Sequence, residues 1–202
     1  MKSTAVRSLL VGVAFLTMSA IFGYAQKPDR RLWQGAWDGD MEEVRFAVEH
    51  GANVNMRGKG GFAPLLVAAR NGHLDVVQYL VEHGADIEQS DNSRDKTPLL
   101  AAAFKGHYDI VRYLVEKGAK INVQAINGWT PLHDAAYVGA LDIVTYLVEH
   151  GADVHIRNKD GQTALQTVQM AIRTQNPVRH NRTQATPQDY QAVASYLKSH
   201  GG

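Results

Sequence analysis

The residues most capable of chemistry in this chain recur at a fixed interval. Glu49, Glu82, Glu116 and Glu149 each stand beside a basic residue, His50, His83, Lys117 and His150, just ahead of a Gly-Ala pair. Carboxylates and imidazoles are common acids and bases of catalytic sites. Four copies spread along a chain are more simply a structural column, in which equivalent positions of neighbouring units stand about 8–10 Å apart, one helix-packing distance. Zinc ligands must converge to about 2 Å from one ion, so a row of histidines gives no reason to expect a metal. His133 and Asp134 are sequence neighbours, and adjacent helical positions do not face each other. The chain holds no Gly-x-Ser-x-Gly elbow, no His-Glu-x-x-His and no cysteine nucleophile. Gly58-Lys59-Gly60-Gly61 lacks the Lys-Ser/Thr that completes a phosphate-binding loop. Neither an enzyme nor a cofactor-binding protein is expected.

The elements that must carry these residues follow from the interval itself. Gly51-Ala52, Gly84-Ala85, Gly118-Ala119 and Gly151-Ala152 are spaced by 33, 34 and 33 residues, and Gly39, Gly72, Gly106 and Gly139 keep the same step. Ahead of the latter glycines come Ala63-Pro64-Leu65-Leu66, Thr97-Pro98-Leu99-Leu100, Thr130-Pro131-Leu132-His133 and the weaker Thr163-Ala164-Leu165-Gln166. Thr97 and Thr130 are placed to cap helices that start at a proline, where the missing amide donor costs nothing. Paired alanines then give a short helix a thin side, and Gly72, Gly106 or Gly139 ends it in a left-handed turn. A second helix, such as Leu74 to His83 or Leu141 to His150, carries Val, Ile, Tyr and Leu on one stripe. Alone that stripe would bury little, so the units must stack into a continuous core with more polar ends. Basic residues in the last turn complement the helix dipole.

Thr-Pro-Leu-His, Ala-Ala, Gly, an apolar helix and Gly-Ala at a 33-residue period resemble the ankyrin repeat. The resemblance covers about residues 29 to 202 and implies an all-α solenoid of stacked helix-turn-helix units joined by short β-hairpin loops. The units fall near 29–56, 57–90, 91–124, 125–157 and 158–202. It also implies that His133 bonds neighbouring backbone, and that function resides on a surface that binds protein.

Lys2 and Arg7 precede an apolar run from Leu9 to Phe22, too short for a comfortable membrane span, and Gly23-Tyr24-Ala25 offers small residues before a cut. Residues 1–25 read as a secretory signal peptide cleaved after Ala25, leaving no stable membrane span in a mature domain of residues 26–202. The competing reading is an uncleaved anchor with the basic flank Lys27 to Arg31. With no cysteine there is neither a lipoprotein acylation site nor a disulfide. A periplasmic or secreted bacterial protein is expected. Cleavage would remove two positive charges and no negative one, turning the balance of +1 negative, which argues against general attraction to nucleic acid. A monomer is expected.

Binding residues belong where the repeat does not dictate the side chain. Two residues before each inter-helix glycine stand Trp37, Arg70, Phe104 and Tyr137, and the same step reaches Met170. Just before the Thr-Pro motif stand Phe62, Lys96, Trp129 and Gln162. In ankyrin-like folds these columns point to the concave groove and the hairpin tips, and aromatics, Arg and Met are the types enriched as binding anchors. The competing reading packs some of these rings against the next repeat. Gln34, Val67, Ala101, Asp134 and Thr167 are expected beside them, with Arg57, Lys59, Arg94, Asn127, Arg157 and Lys159 as a basic loop rim that steers acidic groups. The candidate contacts are therefore Trp37, Phe62, Arg70, Lys96, Phe104, Trp129, Asp134, Tyr137 and Met170.

The fifth unit departs from the pattern by an insertion of about 17 residues near 173–186, which contains Pro177, Arg179, His180 and Arg182 but no acid. It lacks the Ala-Ala pair, and Ile172 stands where a glycine is expected, as suits a terminal cap. The reading is an exported module that binds a protein partner, with an envelope glycan or small molecule stacked on Trp129, Tyr137 and Phe104 as the alternative.

Overall fold

The computed structural model describes residues 28–174 and 185–201. The expected signal peptide and the part of the insertion that carries Pro177, Arg179, His180 and Arg182 lie outside them. Among these residues ten α-helices form five pairs. The first pair is α1 (Pro28–Asp38) with α2 (Met41–Glu49), and the second α3 (Pro64–Asn71) with α4 (Leu74–Glu82). Then follow α5 (Pro98–Lys105) with α6 (Tyr108–Glu116), α7 (Pro131–Val138) with α8 (Leu141–Glu149), and α9 (Ala164–Thr174) with α10 (Pro187–Ser199).

The first helices start and stop where their chemistry dictates. Thr97 Oγ1 accepts from the Leu100 amide, Pro98 occupies the first turn, and Gly106 closes α5 in the left-handed region at φ 73°. In α7 the cap is reciprocal: Thr130 Oγ1 accepts from the His133 amide while His133 Nδ1 accepts from the Thr130 amide. Along α3, α5 and α7 the apolar residues are buried almost throughout, because each helix lies between two neighbours. The second helices bury one stripe only, for instance Val76, Val77 and Leu80 in α4. First helices pack on first helices, second on second, and the paired alanines 68–69, 102–103 and 135–136 are fully buried where the first-helix layer closes.

The last-turn histidines do more than complement a dipole. His50, His83, His150 and His200 each donate Nδ1–H to the carbonyl four residues back, at 2.7 to 2.8 Å, and lie on the ring of Phe46, Tyr79, Tyr146 or Tyr196. They seal helix ends that have carbonyls to spare. His73 and His107, at the start of the second helices, reach back one unit and donate Nε2–H to the carbonyls of Trp37 and Arg70 at 3.1 Å.

The loops between units fold back as hairpin turns, with closing bonds from Gly58 N to Phe62 O, Asp91 N to Lys96 O, Ala125 N to Trp129 O and Asn158 N to Gln162 O. Isolated bonds from Ile126 N to Arg94 O and from Lys159 N to Asn127 O join successive loops. No strand forms among the described residues, so the hairpins expected from the family pattern are turns held by single bonds. Arg57 and Arg157, expected on the basic loop rim, are exposed there and hydrogen-bond to loop carbonyls. Arg57 donates to the Gly61 and Ser90 carbonyls, and Arg157 to the Gly161 carbonyl.

The fifth pair is longer than the others. With Ile172 in place of a left-handed cap, α9 runs on to Thr174 and so includes Arg173, the first residue of the expected insertion. Thr186 and Asp189 form a capping box for α10, with Pro187 at its first turn. That helix buries Tyr190, Val193 and Leu197 against the array and closes its end. Among the described residues no helix is long and apolar enough to cross a membrane.

Candidate functional site

Four of the nine candidate contacts meet in one cavity of about 260 Å³ between the 58–62 loop, the 91–96 loop, α3 and α5. Phe62, Arg70, Lys96 and Phe104 line it together with Leu66, Asp91, Ser93, Arg94 and Ala101. Arg70 is the last residue but one of α3 and Phe104 the last but one of α5, so the two side chains come from equivalent positions of adjacent first helices. Phe62 and Lys96 come from equivalent positions just ahead of those helices. The cavity is thus one repeat's step seen twice, and its contents are set by the residues the repeat leaves free.

Its electrostatics are lopsided. Lys96 Nζ lies 4.3 Å from the centre of the Phe104 ring and 3.4 Å from both carboxylate oxygens of Asp134. The one carboxylate on the wall, Asp91, is buried, and its Oδ1 accepts from the backbone amides of Arg94 at 2.6 Å and Ser93 at 3.2 Å. Arg70 and Arg94 have no ion-pair partner among the described residues. Beside them, burial and then the positive charges of Arg70 and Lys96 hold the Lys105 ammonium below its ordinary range.

Asp134 does not stand where the repeat register put it. It is 1% exposed, beneath Lys96, and burial pushes its carboxyl up to about 7 while Lys96 pulls the other way. Val67, Ala101 and Thr167, expected beside it along the groove, are likewise buried. The small and branched residues in this column let neighbouring first helices approach closely, and the column becomes contact between helices.

The remaining candidates spread along the same face. Trp129 and Tyr137 meet edge to face, with ring centres 5.1 Å apart. Trp37 is 37% exposed and stacks on Trp33 at 5.4 Å, and Met170 on α9 is 45% exposed. Trp33 went unremarked in the sequence, although the signal was there: it lies in the register of Leu66, Leu100, His133 and Gln166. His133 donates Nε2–H to the Gln162 carbonyl at 2.9 Å, and Trp33 donates its indole N–H to the equivalent carbonyl, that of Phe62, at 3.1 Å. Both tie one unit to the next loop. His133 is neutral in this arrangement, with Nδ1 accepting from the Thr130 hydroxyl, and burial lowers its basicity against the opposing effect of the Gln162 carbonyl. The bond to neighbouring backbone is the role the resemblance assigned to it.

Among the described residues no three histidine, aspartate or glutamate side chains converge as a metal site would require. A family model for ankyrin repeats, in three copies, matches residues 32–91, 88–158 and 123–176. The chain belongs to the ankyrin-repeat family. Its repeats are of the kind that mediates protein–protein interaction, typically without enzymatic activity. A search of curated proteins returns no matching relative.

Proposed function

We propose that this ankyrin-repeat chain is an exported, monomeric interaction module that engages a protein partner with the face shared by its first helices and loop tips. The observation that carries this reading is the row Trp37, Arg70, Phe104, Tyr137 and Met170. These large side chains recur at one position of the repeat and stay partly or fully exposed, where packing demands no bulk. Phe62, Lys96 and Trp129 flank them from the loops, and Asp134 contributes indirectly by holding Lys96. The basic start at Lys2 and Arg7, the short apolar run and the small residues at 23 and 25 support export, with cleavage after Ala25 into the periplasm or the medium. N-terminal sequencing of protein recovered from those fractions tests it, and a chain that begins at Met1 there would refute it.

Capture from an envelope extract tests the binding. The chain and a Phe104→Ala/Tyr137→Ala variant serve as baits, circular dichroism verifies both folds, and mass spectrometry reads the result. A single protein enriched by the parent alone supports the reading. Retention of purified glycans with the same sensitivity would replace it with the carbohydrate alternative. The edge-to-face packing of Trp129 on Tyr137 weighs against that alternative, because it covers part of a ring face that a sugar would stack on.

A further inference from the structure

The cavity between the second and third units has a chemistry of its own. Three cations, Arg70, Arg94 and Lys96, line it against the single carboxylate of Asp91, which is already engaged by backbone amides of its own loop. Lys96 is shared with Asp134 behind it, while the two guanidinium groups are unmatched among the described residues. Phe62, Leu66 and Phe104 supply apolar walls on either side. At about 260 Å³ the space falls short of the roughly 300–1,000 Å³ that encloses a drug-sized molecule, and it suits one or two side chains.

We propose that this cavity receives an acidic side chain, aspartate or glutamate, from an extended segment of the protein partner, with a neighbouring apolar residue lying against Phe62 and Phe104. The inference rests on the reading of this face as a protein-binding surface and gives that surface a sequence preference. Guanidinium groups match a carboxylate with two parallel hydrogen bonds. The aromatic walls keep water from the pair, which strengthens it relative to an ion pair on open surface.

A dodecapeptide phage library panned on the full chain supplies the probe. The selected peptide is synthesised with a fluorescein label, and its Kd is read by anisotropy. Enrichment of an acidic residue next to an apolar one is expected. An Arg70→Met/Arg94→Met variant, which keeps both aliphatic stems, should raise Kd about tenfold or more, as loss of a charged hydrogen-bonded contact does. Arg112→Met, on α6 and paired with Glu116, should leave Kd within about twofold. Exchanging the peptide's acid for its amide should cost as much in the parent and almost nothing in the double Arg variant. Selected peptides without an acidic residue, or a Kd indifferent to both arginines, overturn the inference. If such peptides still lose affinity in Phe104→Ala/Tyr137→Ala, the protein-binding face survives and only the acidic pocket falls. Failure to select any peptide overturns it as well, while capture from extract judges the wider reading separately.

Discussion

Lys96 and Asp134, 38 positions apart in sequence, meet at 3.4 Å across the boundary between the third and fourth units. The lysine side chain is 19% exposed and the aspartate 1%, so the pair has a wet end and a dry end. The pair holds one ammonium at the cavity wall beside Phe104. The carboxylate that does so is too deep to be touched itself.

This pairing predicts a pH dependence. Burial raises Asp134 to about 7 in the folded chain, whereas an unfolded aspartate titrates near about 3.9. The folded state therefore binds the proton more tightly, and the stability this confers is complete below about pH 4 and gone above about pH 7. His133 acts with the opposite sign. Its basicity is lowered by burial, so its contribution is present above the ordinary histidine value of about 6.5 and fades as the pH falls. Asp134→Asn removes one slope and leaves the other. The variant should gain on the parent between pH 5 and pH 8, by up to about 2 kcal/mol, and lose stability more steeply in acid. Urea midpoints at those pH values measure it, and a difference that does not change with pH would rule it out.

Glycines that look alike in the repeat should differ in tolerance. Gly72 has φ +88°, and a Cβ there would stand 2.7 Å from the His107 ring, whose Nε2–H bond to the Arg70 carbonyl ties two units. Gly84 has φ +86° with nothing within 4 Å. Gly84→Ala should cost about 1 kcal/mol, the backbone penalty alone. Gly72→Ala should cost at least about 1 kcal/mol more, because the histidine must move as well. Equal costs, measured by chemical denaturation, would show that the ring gives way freely.

Much of this architecture could be read from the chain, for a physical reason. Thr97, Thr130, Pro98, Pro131 and the inter-helix glycines act through local backbone geometry, and that geometry is the same wherever the motif occurs. The candidate site was legible only in part. Register placed Phe62, Arg70, Lys96 and Phe104 in columns that meet at the cavity, yet whether a column is covered depends on how closely the next helix approaches. Val67, Ala101, Asp134 and Thr167 were accordingly expected on the surface and are buried. That Arg57 and Arg157 bend back to loop carbonyls leaves no mark in the sequence. The cavity itself depends on Asp91 ordering the 91–96 turn, a contact that no spacing rule signals.

That same turn contains a strained residue. Asp95 has φ 52°, the one positive value outside glycine among the described residues, and its counterparts in neighbouring loops are Gly61, Gly128 and Gly161. Asp95 is exposed, and among the described residues its side chain has no hydrogen bond or ion pair that would compensate. Asp95→Gly should stabilise the fold by about 0.5–1 kcal/mol through relief of the left-handed backbone. Thermal unfolding checks the sign, and a lower Tm would show that the loop draws on Asp95 in another way.

The last prediction concerns the bond that Trp33 and His133 make and that the units between them lack. Leu66 and Leu100 stand at the equivalent positions, buried and without a donor. The carbonyls that would receive the bond are those of Lys96 and Trp129, each already taking one backbone amide and each with a second lone pair to offer. A histidine at 100 would find Thr97 placed as Thr130 is for His133, ready to donate to Nδ1 and fix the tautomer that directs Nε2–H at Trp129 O. At 66 the preceding cap is Ala63, which has no hydroxyl. Leu100→His should therefore be neutral to stabilising, by as much as about 1 kcal/mol, whereas Leu66→His offers Nδ1 only the cap amide, the longer of the two contacts that His133 has, at 3.4 Å against 2.8 Å, and should cost about 1–2 kcal/mol. Urea denaturation of the two variants at pH 8, where a solvent-exposed histidine is neutral, measures the contrast. Equal losses at both sites would mean that threonine at the cap does not decide whether this position can hold a histidine.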